Sequence, residues 1–192
     1  MKILWIDTET TGRNVERCDI IQIAGIVVID GEEKERFNFH CQPMNYETIE
    51  QEAVDKTGMT VEKLKQFQTS QEMYQKFKPL LCKYIDPYDK NDKFYLAGHC
   101  VKFDLEFIQS FFQKMGDKYC MSFFRHNVVD LMSFCTILLT AGLINPPNLT
   151  LGGIATYLGF PDDPNLHDAS VDIDLTRKCF CKLAAKYINF GD

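Results

Sequence analysis

The sequence predicts an α/β fold built on a mixed five-stranded sheet, a three-stranded antiparallel meander plus parallel strands, flanked by helices on both faces. Two observations support this prediction. The first 41 residues contain three strand patterns and no helical one, and strand patterns then alternate with apolar segments of helical period. No internal repeat divides the chain, so we expect a single domain over residues 1–192.

Composition and charge argue against several classes of protein. Hydrophobic residues make up 45% of the chain and charged residues 25%, which is typical of a globular domain. The eight cysteines include no CxxC pair, so we expect free thiols in a cytoplasmic protein rather than disulfides or zinc. We expect no secretory leader and no membrane span. The net charge of −6 argues against a broad clamp on duplex DNA.

The first three strand patterns account for the meander. Residues 1–12 begin as an apolar strand and end in turn residues, and residues 20–30 are a β-branched run that ends at an Asp-Gly turn signal. Residues 34–41 alternate between apolar and polar side chains, which indicates the third strand. We expect the two connections between these strands to be tight.

The later elements follow from periodicity and from turn residues. Short helical segments are predicted over residues 44–60 and from Thr60, and a longer helix is expected to begin at a Ser70 cap. Pro79 is expected to kink or end that longer helix. The remaining predicted elements are strand 94–98, a helix that ends at Gly116, strand 127–130, helix 131–141, helix 150–158 and helix 168–187.

Asp7 and Glu9, at the end of the first strand, are the first candidate site residues. Side chains on a strand alternate between its faces, so these two carboxylates point to the same side. Their repulsion would raise the pKa of one of them, and a divalent cation between them would relieve it. The alternative is a strand that runs into an ordinary polar turn, because Thr10, Thr11 and Gly12 are turn residues.

Two later stretches supply further acidic residues. Asp104 lies in HCVKFDLEF at the start of an apolar helix, where the alternative is a carboxylate that only complements the helix dipole. In HDASVDIDLT, His167 precedes a helix on which Asp168 and Asp172 share one face. For this second stretch, the alternative is a well-capped helix with a solvated acidic face.

The four carboxylates together indicate a metal site more strongly than any one of them does. Carboxylates without Cys or His at metal-ligand spacing suit Mg²⁺ or Mn²⁺ rather than zinc. Two such ions a few ångströms apart can clamp the attacking and leaving oxygens of a phosphodiester. An imidazole titrates near neutral pH, so His167 is a candidate to accept the proton of the attacking water.

The stretches DTETTG, HCVKFD and HDASVDIDLT, in this order and spacing, resemble the three motifs of the DEDDh (DnaQ-like) 3′–5′ exonucleases. These enzymes belong to the ribonuclease-H-like superfamily and include the proofreading subunit of the bacterial replicative polymerase. The resemblance extends from Asp7 to Thr176, with weaker matches over residues 53–60 and 150–160. It implies a ribonuclease-H-like fold in which the first strand is central and the last helix packs against it.

The resemblance also implies a catalytic role for five residues. Asp7 matches the acid that bridges two metal ions, and Glu9 and Asp172 match ligands of the first ion. Asp104 matches the acid that supports the second ion, often through water, and His167 matches the general base. The implied cofactors are two Mg²⁺ or Mn²⁺ ions.

The same resemblance implies where a nucleic acid strand binds. The backbone and hydroxyls of Thr10 and Thr11 match the grip on the terminal nucleotide, and Met59 matches an apolar position against its base. Phe103 could stack on a base, although most phenylalanines at helical spacing belong to the core. The expected substrate contacts are Thr10, Thr11, Gly12, Met59, His99 and Phe103.

Two positions leave part of the pattern open. The resembled motif has asparagine after its histidine, whereas this chain has Cys100, which lacks the amide donors. One polar contact near the scissile phosphate is therefore unassigned. Asp168 could replace Asp172 as a ligand if the last helix began later, and the motif spacing favours Asp172.

Three functional hypotheses follow from these observations. The first is a 3′–5′ exonuclease that degrades single-stranded DNA to 5′-mononucleotides in proofreading or repair. The second is an exoribonuclease of the RNase T or oligoribonuclease type. The first motif of oligoribonucleases resembles DLEMTG. This chain has DTETTG instead, which favours DNA as the substrate. The third is a non-catalytic nucleic-acid-binding or polymerase-associated module, and the loss of a carboxylate would be its mark.

A haloacid-dehalogenase-type phosphatase is a further rival, because it also opens with a strand and an acidic pair. It would need aspartate where Glu9 stands, and its mechanism has no use for the His167–Asp172 pair. The expected partners of the chain are a single-stranded 3′ end and a DNA polymerase or replication complex, without a membrane. The oligomeric state is left open.

Overall fold

A computed structural model describes residues 1–188 and builds them around one five-stranded sheet. The strands are β1 (Lys2–Thr10), β2 (Ile20–Ile29), β3 (Glu32–His40), β4 (Tyr95–Gly98) and β5 (Val129–Asp130). They lie in the order β3-β2-β1-β4-β5. β1 and β3 are antiparallel to β2, whereas β4 is parallel to both β1 and β5. The predicted mixed sheet is confirmed, with β1 at its centre.

The helices lie mostly in the second half of the described chain. They are α1 (Gln51–Lys56), α2 (Val61–Leu64), α3 (Ser70–Tyr84), α4 (Val101–Lys114), α5 (Leu131–Thr140), α6 (Leu151–Tyr157) and α7 (Ala169–Tyr187). Short 3₁₀ turns cover Tyr46–Thr48 and Cys120–Ser122. Within residues 1–188, each helix is too short or too polar to cross a bilayer.

Side chains of β1 alternate between two apolar layers, as the period of a strand requires. Leu4 faces a core cluster that contains the buried aromatic residues of α3 and α4. Trp5 faces the opposite layer, where it packs in a cluster with Ile173 of α7. Helices therefore cover both faces of the sheet, as predicted. Because Asp7 and Glu9 follow the alternation of Trp5, they point to the α7 side of β1.

A second apolar cluster joins α5, α6 and α7 beside the sheet. Its fully or nearly fully buried members include Leu131, Ile154 and Leu183. α7 is thus held by the sheet on one side and by two helices on the other. This packing positions the first turn of α7 at the end of β1.

The structure corrects the predicted N-cap of α3 and excludes one of the two alternatives for Pro79. The N-cap is Thr69 rather than Ser70, because Thr69 and Glu72 form a capping box in which each residue's backbone N–H donates to the other's side chain. Ser70 Oγ instead donates to the carbonyl oxygen of Gln42 at 2.7 Å. Pro79 lies inside α3 and does not end it.

The connection between β1 and β2 is a long loop, so the expected tight connection is wrong at this point. Thr11 N donates to the carbonyl oxygen of Asp19 at 2.8 Å, and Asp19 N donates to Thr11 Oγ1 at 2.9 Å. Lys114 of α4 forms an ion pair with the buried Asp19 carboxylate at 2.8 Å. The second connection is tight, with positive φ at Asp30 and Gly31 as in a type I′ turn.

Asp117 links the loop after α4 to α3. Its carboxylate accepts hydrogen bonds from Tyr74 Oη at 2.6 Å, Lys78 Nζ at 2.7 Å and Tyr119 N at 2.8 Å. Burial acts to raise the pKa of Asp117, but these donors outweigh it and the pKa lies below its ordinary value. Because the folded-state pKa is depressed, the contact stabilises the fold above the unfolded-state pKa. The stabilisation is lost as the pH falls through the folded-state pKa.

We therefore expect Asp117→Asn to lower the free energy of unfolding at neutral pH by about 1–2 kcal/mol, after allowance for solvent screening of the exposed Lys78. The difference from the wild type should shrink as the pH falls below about 4, where aspartate becomes protonated. Urea unfolding over a series of pH values measures both effects. Glu16→Gln, at an exposed acid, is the control. A difference that is constant across the pH series would contradict the assignment.

Candidate active site

Three carboxylates converge where the C-terminal end of β1 meets the first turn of α7. Asp7 and Glu9 lie on β1, and Asp172 lies in the first turn of α7. One carboxylate oxygen from each of the three residues lies within 4.8 Å of the other two. The packing of Ile173 in one cluster with Trp5 brings the two distant motifs together.

The negative charge of these residues is poorly compensated. Burial raises the pKa of Asp7 well above its ordinary value, and repulsion from Asp104, Glu9 and Asp172 raises it further. Burial followed by repulsion from Asp172 raises the pKa of Glu9 to about 8, and burial raises that of Asp172 to about 6. Within the described part of the chain, none of these acids forms an ion pair with lysine or arginine.

Asp104 brings a fourth carboxylate toward Asp7 from the first turn of α4. The residue is 3% exposed, and its Oδ1 accepts hydrogen bonds from Thr8 N at 2.9 Å and Thr8 Oγ1 at 2.7 Å. Burial raises the pKa of Asp104 to about 7, although the hydrogen bonds from Thr8 act to lower it. Thr8 therefore anchors Asp104 at the end of β1. Among the described residues, Asp104 is not part of the three-carboxylate group.

The donor set fits a hard divalent cation. All four groups are carboxylates, and Mg²⁺ and Mn²⁺ prefer oxygen ligands of this kind. A cation held by Asp7, Glu9 and Asp172 would remove the repulsion that raises their pKa values. The residues present are therefore chemically compatible with the metal ions that the resemblance implies.

His167 ends the loop before α7 and lies beside the acidic group. Its backbone has a φ of 75°, in the left-handed region, and its backbone N donates to the carboxylate oxygens of Asp172 at 3.3 and 3.4 Å. The residue is exposed and lines an open cleft. The structure therefore brings the predicted base next to the predicted ligand Asp172, on the side that solvent reaches.

The cleft beside Glu9 has a volume of about 270 Å³. Gly12 lies in its wall without room for a side chain, because a Cβ atom there would be 2.4 Å from Glu50 Cδ and 2.6 Å from Cys18 Sγ. Other predicted substrate or catalytic residues that line the cleft are Thr10, Phe103 and His167. The structure thus brings half of the predicted substrate contacts together with the predicted base.

Four charged residues of the cleft were not predicted from the sequence: Arg13, Glu50, Glu52 and Lys56. Arg13 N donates to Glu50 Oε2 at 3.2 Å, and Glu50 N donates to the carbonyl oxygen of Thr11 at 2.7 Å. Arg13 directly follows the first motif, which is a signal that could have identified it. The contact of Glu50 with the first motif depends on tertiary packing and has no local signal.

Three predicted substrate contacts do not line the cleft. Thr11 is fully buried, and its hydroxyl oxygen accepts a hydrogen bond from Asp19 N. Met59 is 7% exposed and packs in a core cluster with Val54. His99 Nδ1 is buried without a hydrogen-bond partner among residues 1–188, and burial lowers the pKa of His99. Thr11 and Met59 thus pack in the interior of the fold, whereas His99 is half-buried.

Asp168 is the N-cap of α7 and is engaged outside the three-carboxylate group. Its carboxylate accepts hydrogen bonds from Ser170 N at 2.9 Å and from Gln22 Nε2 at 3.1 Å. Burial acts to raise the pKa of Asp168, but the hydrogen bonds from Ser170 and Gln22 outweigh it and the pKa lies below its ordinary value. Asp172 is therefore the carboxylate of this helix turn that faces the acids of β1.

Cys100 stands in a strained backbone conformation at the position where the resembled motif has asparagine. Its φ of 59° and ψ of 36° lie in the left-handed region, which asparagine tolerates better than other side chains. Cys100 is also the N-cap of α4, and its backbone N donates to Asp130 Oδ1 at 3.1 Å. The backbone is therefore suited to asparagine although the side chain is cysteine.

We expect Cys100→Asn to raise the free energy of unfolding by about 0.5–1 kcal/mol, because the substitution relieves strain in the left-handed region. Urea unfolding in reducing buffer measures the change. Cys82→Asn, at an exposed cysteine inside α3, is the matched control and should not stabilise the protein. A destabilised Cys100→Asn protein would contradict this interpretation of the backbone.

Comparison with known proteins identifies the family and agrees with the fold. The family model described as RNase T, exonuclease, matches residues 4–180. The zinc-bound complex of E. coli exonuclease I with single-stranded DNA matches with a TM-score of 0.81 and 20% identity over 98% of this chain and 41% of that chain. E. coli exonuclease I in complex with a dT13 oligonucleotide matches with a TM-score of 0.78 and 21% identity, over 95% of this chain and 40% of that chain.

The family match and the structural match carry different information. This chain spans about two fifths of the length of the exonuclease I chains, and at this identity their likeness shows a shared fold. The family match covers most of the chain and includes Asp7, Asp104 and Asp172. The chain therefore belongs to the RNase T family of exonucleases, the DEDDh-type phosphodiester hydrolases with a ribonuclease-H-like fold.

Proposed function

We propose that this exonuclease hydrolyses single-stranded DNA from its 3′ end to 5′-mononucleotides, with two Mg²⁺ or Mn²⁺ ions and a histidine base. The observation that carries the proposal is the convergence of Asp7, Glu9 and Asp172 within 4.8 Å, next to a cleft lined by His167. A module that only bound nucleic acid would gain nothing from this group, because uncompensated acids repel phosphates.

The four carboxylates divide the binding of the two ions between them. In the proposed arrangement Glu9 and Asp172 would hold the first ion together with Asp7, which would also serve the second. Asp104 would support the second ion, and the hydrogen bonds from Thr8 hold this carboxylate at the end of β1. Divalent cations bound here would supply charge stabilisation for the attacking and leaving oxygens of the scissile phosphodiester.

His167 is the proposed general base. Its neutral imidazole accepts a proton from the water whose oxygen bonds to phosphorus, while the bond from phosphorus to the 3′ oxygen of the shortened strand breaks and that oxygen takes up a proton from solvent. The backbone hydrogen bond to Asp172 keeps the histidine beside the acidic group. Because His167 is exposed, the accepted proton can pass to solvent before the next cycle.

The cleft offers groups that suit a single strand. Arg13 supplies positive charge for phosphates, whereas Lys56 in the same cleft forms an ion pair with Glu52 at 2.8 Å. The absence of a side chain at Gly12 leaves room for Glu50 and Cys18 to pack against the first motif. Phe103 is 36% exposed and packs on Phe107 with ring centroids 4.7 Å apart, so one face of its ring is supported for stacking on a base.

The preference for DNA over RNA rests on two observations. The first motif is DTETTG, whereas oligoribonucleases resemble DLEMTG. Exonuclease I structures with the same fold include a complex with single-stranded DNA and one with a dT13 oligonucleotide. RNA remains the alternative substrate because the chemistry at phosphorus is the same, and contacts to the 2′-hydroxyl would distinguish the two.

The test uses 5′-labelled DNA and RNA strands of matched sequence, each with Mg²⁺, with Mn²⁺ or with a chelator. We expect single-stranded DNA to shorten stepwise from its 3′ end, with the label retained and no reaction in chelator, and RNA to shorten more slowly. Faster shortening of RNA would contradict the substrate proposal alone. Absence of shortening in both strands would contradict catalysis.

We also propose a proofreading or repair role, in which a DNA polymerase or replication complex is the partner. The resemblance to the proofreading subunit of the bacterial replicative polymerase supports this role. Duplexes with matched and mismatched 3′ ends test it in the same assay. Faster removal of the mismatched nucleotide is expected, because an unpaired end enters a single-strand cleft at a lower cost of unpairing.

A further inference from the structure

Gln22, on β2, is a fully buried polar residue beside the metal ligands. It is 0% exposed, and in the register of the sheet it stands directly opposite Glu9 of β1. A buried amide is costly unless its donors and acceptor are paired, so its partners indicate what it holds in place. The proposed mechanism assigns no role to this residue.

The amide of Gln22 connects three elements. Nε2 donates to Asn38 Oδ1 on β3 at 2.9 Å and to Asp168 Oδ1 at 3.1 Å. Oε1 accepts from the backbone N of Ala169 at 3.3 Å. A backbone N–H can only donate, which fixes the orientation of the amide. Gln22 therefore binds both the N-cap side chain and the first free backbone N–H of α7.

These contacts distinguish the two acids at the start of α7. Asp168 and Asp172 lie one turn apart on the same side of the helix. Asp168 is retained by Gln22 and Ser170, whereas Asp172 is the member of the pair that joins the group with Asp7. If the Gln22 contacts were lost, the first turn of α7 would lose two of its hydrogen bonds to the sheet.

We propose that Gln22 is a positioning residue of the metal centre. Its amide holds Asp168 and Ala169 against the sheet and thereby directs Asp172, rather than Asp168, toward Asp7 and Glu9. This inference rests on the proposed function, since it concerns the cation that these carboxylates would bind. Gln22 itself contacts neither substrate nor cation.

The first test is the affinity of Gln22→Met for Mn²⁺, measured by calorimetry without substrate. Methionine has a similar length but lacks the amide donors and acceptor. We expect the affinity to fall by about tenfold or more, as for other residues that orient metal ligands. Asn38→Ala is the matched control, because it removes the other partner of Nε2 and leaves the α7 contacts in place. An equal loss in both variants would overturn the proposal.

The second test exchanges the amide and the carboxylate in the double variant Q22E/D168N. The carboxylate introduced on β2 can accept hydrogen bonds from the amide introduced at the N-cap and from Ala169 N, and asparagine is also a good N-cap. Q22E alone places two carboxylates in contact and should bind Mn²⁺ more weakly than the wild type. We expect the double variant to regain most of the lost affinity. An additive further loss in the double variant would overturn the proposal.

Mn²⁺ binding by the wild type and by Gln22→Met separates the proposed function from the proposed role of Gln22. If the wild type binds no Mn²⁺, the proposed metal-dependent function is contradicted. If the wild type binds Mn²⁺ and folded Gln22→Met binds it equally well, only the role of Gln22 is overturned. Thermal unfolding of every variant identifies a protein that fails to fold, and the exchange variant then decides the question.

Discussion

Asp7→Asn is expected to slow mononucleotide release by about a thousandfold or more, equivalent to about 4 kcal/mol of lost transition-state stabilisation. Asp7 interacts with all three of the other carboxylates. Its pKa is raised by burial and then by repulsion from Asp104, Glu9 and Asp172. Asparagine keeps the shape of the side chain but loses the charge that binds a cation. The measurement is the initial rate on a 5′-labelled single strand in Mg²⁺.

The fold of Asp7→Asn should be intact without added metal. Replacing a buried, repelled carboxylate by a neutral amide removes an unfavourable charge, so the free energy of unfolding should not fall. Asp174→Asn is the control on α7, because Asp174 forms ion pairs with Arg36 and Lys178 away from the site. Full activity in Asp7→Asn, or equal losses in both variants, would contradict the metal assignment.

His167→Asn is expected to lower the rate by about 10²–10⁴-fold, the usual contribution of a general base. Asparagine is chosen because it tolerates the φ of 75° at this position, so the backbone hydrogen bond to Asp172 should persist. Binding of Mn²⁺ should therefore be retained. Loss of rate with retained metal binding separates the base from the ligands.

The pH dependence of the rate gives a second measure of His167. A base must be unprotonated to act, so wild-type activity should fall on the acidic side of its profile as the base becomes protonated. In His167→Asn the part of this fall that is due to the imidazole should be absent. The profile of Asp174→Asn should match the wild type. An unchanged acidic limb in His167→Asn would remove the histidine from this role.

The periodicity of single elements made the sheet and the pairing of Asp7 with Glu9 predictable from the sequence, whereas the resemblance of the three motifs implied that Asp172 joins them. A strand period of two places Asp7 and Glu9 on one face, and a helix pattern over residues 168–187 gives a scaffold for Asp172. The order of three strands followed by alternating strands and helices predicted the mixed sheet. These features depend on residues that are close in the sequence, and the structure contains the mixed sheet, the first strand and the last helix.

The features that the sequence did not predict depend on contacts between distant residues. The helix period places Asp168 and Asp172 on one face, and the motif spacing favoured Asp172, but the hydrogen bond from Gln22 on a remote strand to Asp168 was not predictable. Threonine is common in turns, but Thr11 is fully buried and its hydroxyl accepts a hydrogen bond from Asp19 N. An apolar residue such as Met59 suits both the core and a surface that contacts a base, so only the packed structure shows that it lies in a core cluster.

The central claim is that Asp7, Glu9 and Asp172 hold a catalytic divalent cation, with Asp104 supporting a second. Anomalous diffraction from crystals soaked in Mn²⁺ tests it most directly, because it locates the ions independently of activity. We predict one peak in contact with all three carboxylates of the first site and a second peak between Asp7 and Asp104. The absence of a peak among these residues, with Mn²⁺ bound only elsewhere, would contradict the claim.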